Sequence, residues 1–203
     1  GRGFYAPTPF LEETEAAGLS RLEPLTGLVA ETADTLSLDI GYASGALETG
    51  LTLFASDIDD AMRLQTVAAD RVQLVNQNGV TRTRGVEALL RWRRAPYVIT
   101  ASYLYLDASE PLVDTAGYRS VPLTPRHSAG IVAMWEEHDR GRVGLELYYT
   151  GTQSLEDNPY REQGKPYLHI GLLGEIVLGR YRLFLNLENL LDVRQTREDS
   201  LLR

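Results

Sequence analysis

Cysteine is absent from all 203 residues, so neither a disulfide frame nor a thiolate metal site can be built. No run of 18 apolar residues occurs, which excludes a membrane-spanning helix. The three histidines, His127, His138 and His169, are scattered with no partner at ligand spacing, and no metal is expected on them. Glycine-rich phosphate loops, nucleophile elbows and zinc motifs are also missing, so no enzyme activity and no cofactor are expected. There is no basic excess: the formal net charge is -8, which argues against nucleic acid as a partner. The opening GRGFYAPTPF reads as a Gly/Pro-rich loop with neither a charged leader nor an apolar segment, hence no signal peptide. It looks like the middle of a longer protein, and the closing TREDSLLR looks equally unfinished.

What the chain has is alternation. In YRLFLNLENLLDVRQT, Tyr181 to Thr196, Leu183, Leu185 and Leu187 are apolar while Arg182, Asn186 and Glu188 are polar, with Phe184 the exception. A period of two means a β-strand with one apolar face. Seven further segments repeat the pattern: Thr35–Tyr42, Ala46–Ile58, Thr81–Arg93, Tyr97–Ala108, His127–Glu136, Arg142–Gly151 and Tyr167–Leu178. These are long strands. Lengths of about 9–11 residues suit a tilted crossing of a bilayer, whereas ordinary soluble strands have a mode nearer 5–6. Short connections (Ala43-Ser44-Gly45, Arg94-Ala95-Pro96, Glu137 to Gly141, Gly179-Arg180) alternate with long ones at roughly 59–80, 109–126 and 152–166. Tight turns at one end and extended loops at the other mark an up-and-down membrane barrel.

A soluble sandwich also alternates, so the side chains must decide between lipid and core. The apolar faces carry no charge once end residues such as Arg82 and Arg84 are set aside. An Arg or Lys at the bilayer midplane costs about 2–4 kcal/mol. The opposite faces carry Asp39, Glu48, Glu87, Arg91, Glu146, Glu175, Arg182 and Glu188, interleaved with glycines, as suits a wet or plugged lumen. Aromatics sit at the strand ends. Tyr42, Trp92, Tyr97, Trp135 and Tyr181 flank short turns, and Tyr105 and Tyr149 adjoin long loops, as two interfacial girdles would. With no helix-period segment between the strands, the expected fold is all-β: an antiparallel up-and-down transmembrane β-barrel, of which about eight strands are in this chain.

Five motifs, in order along the chain, resemble TonB-dependent outer-membrane receptors: GRGFYAPTPFLEE, NGVTRTRGVEALLRW, YVITASYLYLDASE, VPLTPRHSAGI and YRLFLNLENLLDVRQT. The resemblance implies that residues 1–203 are the C-terminal part of a barrel of about 22 strands, with the plug domain and the closing strand outside the chain. It further implies a receptor that takes up a scarce nutrient, a ferric siderophore first, otherwise cobalamin or another metal chelate. Energy would come from TonB, reached through the missing N-terminal region. The implied partners are outer-membrane lipid and a small-molecule ligand, and the full-length protein is expected to be a monomer. In this family ligand is captured by outside loops, so Tyr5, Phe10 and Tyr160 are the candidate ligand contacts, each of which could equally pack loop on loop. The acidic loop residues Asp57, Asp59, Asp60, Glu156 and Asp157 could suggest calcium, but solvated carboxylates are the commoner case. Two rival readings differ in class: a small passive or structural outer-membrane barrel of eight self-closing strands, and a secreted soluble β-sandwich that binds carbohydrate.

Overall fold

A computed structural model describes residues 1–9, 18–112, 116–155 and 158–194. Their only helical element is a single 3-10 turn, Leu19–Arg21, and no helix is long and apolar enough to cross a membrane. The strands are β1 (Arg2–Tyr5), β2 (Glu31–Ser44), β3 (Leu47–Asp59), β4 (Met62–Ala68), β5 (Arg71–Asn76), β6 (Thr81–Arg94) and β7 (Tyr97–Pro111). They continue with β8 (Tyr118–Ser120), β9 (His127–Glu137), β10 (Gly141–Thr150), β11 (Gln153–Ser154), β12 (Gln163–Gly164), β13 (Tyr167–Leu178) and β14 (Tyr181–Leu187). All eight strands expected from alternation are present; β2 and β7 run four and three residues further at the long-loop end, β10 ends one residue sooner there, and the stretch Tyr181–Thr196 is a strand only as far as Leu187.

They form one sheet in the order β1-β2-β3-β6-β7-β9-β10-β13-β14, with β8 added on β7. The path ends at β14 without returning to β1, so these strands are part of a larger barrel rather than a small closed one. Sequence neighbours pair antiparallel through short turns. Gly179 and Arg180 alone join β13 to β14, and Gly179 takes the positive φ of 60° that a two-residue hairpin turn demands.

Three departures from the sequence reading occur at the long-loop end. The opening was expected to be a loop, but Arg2–Tyr5 is a strand paired with Glu31–Asp34, because β2 runs far enough to offer it an edge. The connection 59–80 is a folded hairpin, β4 with β5, and 152–166 carries the small β11–β12 pair. Long loops with their own strands bury side chains that loose connections could not.

The chain divides into two compact units. One comprises Gly1–Leu36, Phe54–Arg84 and Ala108–Ser120. Here the β4–β5 hairpin is extended by the segment after the 3-10 turn: Leu22 bridges Val72, and the Glu23 amide donates to the Val72 carbonyl at 2.8 Å. Arg21 donates to the carbonyls of Ala69 and Asp70, and Arg71 pairs with Glu23 at 3.0 Å. Asn76 ties the hairpin base down: its Nδ2 donates to the carbonyls of Val29 and Asp60, and its Oδ1 accepts from the Val29 amide.

The other unit comprises Ser37–Leu53, Gly85–Asp107 and Val121–Arg203, and holds the regular wall. Its register runs without interruption from Tyr97↔Trp135 to Tyr105↔His127, from Gly141↔Glu137 to Thr150↔Ser128, and from Gly141↔Ile176 to Thr150↔Tyr167.

Core placement separates this fold from a sandwich. Among the described residues the buried apolar side chains are Val72, Leu74 (2% exposed) and Leu155, all at the long-loop hairpins and none in the ten-stranded sheet. The wall residues that a second layer would have to cover stand open: Ile131 is 42% and Leu185 58% exposed. Among the described residues no buried layer covers them.

Candidate functional site

The wall presents two chemically distinct faces. On one, alternate residues of each strand form an aliphatic field: Leu36, Leu38 and Ile40; Leu51 and Leu53; Ile131; Val143; Ile176; Leu183 and Leu185, all exposed. Tyr42, Tyr97 and Tyr181 close this field beside the short turns, and Tyr103 and Tyr149 lie toward the long loops. His127 belongs to this second girdle, its Nδ1 2.8 Å from the Tyr103 hydroxyl and its ring 5.3 Å from that of Tyr105.

The other face is polar and cross-linked. Thr52 donates to Asp39 at 2.6 Å, and Arg91 faces Glu48 at 3.6 Å. Close to the short turns, Glu175 on β13 is only 6% exposed, yet it meets two guanidinium groups. Arg142 approaches from β10 and Arg182 from β14, each at 2.9 Å. Arg182 hydrogen-bonds it; the Arg142 Nε sits at the same distance without hydrogen-bond alignment. A buried carboxylate is tolerated here because two cations offset its lost hydration. Sequence reasoning placed Glu175 and Arg182 on this face but not their junction with Arg142. That junction depends on the β10–β13 register across the 152–166 connection.

Tyr5 ends β1 opposite Glu31 and is exposed. Tyr160 is exposed in the 152–166 connection, its amide donating to Asn158 Oδ1 at 2.9 Å. Phe10 lies outside the described residues, as do Glu156 and Asp157. Asp57 is engaged by Arg84 at 2.6 Å, and among the described residues no group of three or more His, Cys, Asp or Glu side chains could hold a metal ion. Asn186 donates to Glu188 at 2.8 Å, while Asn189 brackets the backbone of Val193 with both ends of its amide, fixing the turn after β14.

An open, long-stranded meander with an exposed aliphatic face, two aromatic borders and a charged reverse face is matched over residues 1–190 by the family model described as TonB dependent receptor-like, beta-barrel. The chain belongs to the TonB-dependent receptor β-barrel family. This is a family of receptors, not enzymes, and its members reside in the Gram-negative outer membrane. Solved structures agree on the fold. The FrpB iron transporter from Neisseria meningitidis superposes with a TM-score of 0.70 at 11% identity, covering 95% of this chain and 32% of that one. A ferric enterobactin receptor from Pseudomonas aeruginosa gives 0.67 at 22% identity, covering 89% and 29%. A copper transporter, OprC, gives 0.67 at 17% identity, covering 95% and 30%. The chain therefore spans less than a third of each of these proteins. No curated protein matches it.

Proposed function

We propose that this chain is the C-terminal barrel segment of a longer outer-membrane receptor that imports a scarce nutrient, a ferric siderophore first among the candidates, otherwise cobalamin or another metal chelate. The aliphatic face is bathed by lipid, the charged face lines the lumen, and the folded long-loop end faces outside, where Tyr5, Phe10 and Tyr160 contact ligand. A plug domain precedes the segment and reaches TonB in the periplasm, and the full-length receptor acts as a monomer. The observation that carries this reading is the match over residues 1–190, joined to a wall whose apolar side is exposed rather than buried. The structural relatives described as handling iron, ferric enterobactin and copper support a metal chelate as cargo.

Transport of this kind makes no bond, so no catalytic set is needed; the fold supplies a conduit wall and an outer capture surface. The test is genetic. A strain lacking the full-length gene is expected to lose growth on one defined ferric chelate or on cobalamin, with growth restored by the intact gene but not when the TonB system is disabled. Unchanged growth on every metal chelate and on cobalamin overturns the proposal.

A further inference from the structure

On the lumen face near the long-loop end, Ser102, Gly130, Tyr148 and His169 follow one another across β7, β9, β10 and β13 in a single row of the register. Gly130 is buried beneath Tyr148. A Cβ there would lie 3.2 Å from the Tyr148 ring and 3.0 Å from Ser102 Oγ, so the ring is seated on the bare glycine backbone. Above it Ser128, Thr150 and Glu87 complete a hollow of about 340 Å³. Glu146, two residues from Tyr148 on the same face of β10, lies over Gly171.

Electrostatically the patch is one-sided. Neither Glu87 nor Glu146 has an ion-pair partner among the described residues, whereas Arg91 pairs with Glu48, and Arg142 and Arg182 with Glu175; Arg93, at the short-turn end of β6 and far along the strand from the hollow, is the lumen-face arginine without a carboxylate partner among them. A fixed aromatic face, hydroxyls and unpaired carboxylates at the mouth of a conduit form the chemistry that receives a positive group. On β7, β9, β10 and β13, the strands that carry the row, a polyanionic complex meets no uncommitted guanidinium among the described residues.

Resting on the reading of the protein as a metal-chelate receptor, we infer that the hollow around Tyr148 receives a cationic group, and that the receptor favours positively charged chelates over anionic ones. The test uses purified full-length receptor and three probes: a ferric trihydroxamate with a free ammonium group, the same chelate with that amine acetylated, and a trianionic ferric tricatecholate. Wild type is expected to bind the ammonium form about tenfold more tightly than the acetylated form, the scale of one partly desolvated cation–π contact. Tyr148→Leu and Glu146→Gln each shrink that ratio toward one; Tyr148→Phe keeps it. Should Tyr148→Leu fail to fold, Glu146→Gln decides. A ratio of one in wild type, tighter binding of the tricatecholate, or a ratio untouched in the variants overturns the inference and leaves the receptor reading standing. Binding of none of the three overturns the inference, and the metal-chelate reading then rests on the growth test alone.

Discussion

Replacing Ile131 by Arg isolates the assignment of the two faces. Ile131 sits midway along β9, with Ala101 opposite on β7 and Leu147 opposite on β10, between Trp135 near one border and His127 at the other. If hydrocarbon bathes this position, Ile131→Arg places a charge near the midplane and costs about 2–4 kcal/mol, a shift of roughly thirtyfold to several hundredfold in the folded-to-unfolded ratio. The adjacent Val132 faces the lumen, between Thr100 and Glu146. An Arg there can reach the unpaired Glu146 carboxylate, and Val132→Arg is expected to cost no more than about 1 kcal/mol, the ordinary scale of a substitution outside a packed core. Full-length receptor refolded into lipid vesicles over a urea series, followed by tryptophan fluorescence and heat-modifiable gel mobility, measures both. Equal costs at 131 and 132, or a harmless Ile131→Arg, refute the lipid assignment.

Three further substitutions probe other parts of the fold. Glu175→Gln leaves Arg142 and Arg182 without their shared carboxylate; because both arginines are partly exposed and can hydrate, the loss is expected at about 1–3 kcal/mol in the same urea series. Gly141→Ala puts a methyl group against the Glu175 carbonyl oxygen at a backbone φ of 146°, so the start of β10 must distort, at a cost of about 1–3 kcal/mol or more. Asn76→Ala removes three hydrogen bonds that hold the β4–β5 hairpin. Hydrogen exchange should rise across residues 62–76 while β9 and β10 stay protected, and a wall that loosens equally contradicts a separate long-loop unit.

The eight wall strands were legible because their environment is uniform along their length: one medium on each side imposes a strict period of two from Tyr97 to Tyr105 or from Val143 to Tyr149. The hairpins were not. Val72 and Leu74 alternate with Gln73 in a stretch of only six residues, and Val72 is paired by Leu22 and Glu23, some fifty positions away, which no local pattern announces. Gly3 and the prolines after Tyr5 suggested a loop at the start; the partner that makes Arg2–Tyr5 a strand is the extension of β2 beyond Thr35. The candidate site was legible only as composition. Carboxylates and arginines could be assigned to the polar face, but which arginine meets Glu175, or that Tyr148 rests on Gly130, follows from register between strands whose connections are long.

Charges interrupt the apolar face toward the long-loop end. On β2 the alternation Leu36, Leu38, Ile40 is preceded by Asp34, which faces Arg2 at 3.7 Å. On β3 it is followed by Asp57, held by Arg84 at 2.6 Å, and Arg84 itself precedes the apolar Val86 on β6. Arg82 then lies over the Tyr118 ring at 5.0 Å. These ionised groups on the aliphatic side lie beyond the last aliphatic residue, and each has a partner, as expected where a half-solvated charge is stabilised modestly by pairing. If lipid bathes the aliphatic side, the strands change medium at Leu36, Leu53 and Val86: on one side of those residues a single medium enforces alternation, and beyond them the chain is free to build hairpins.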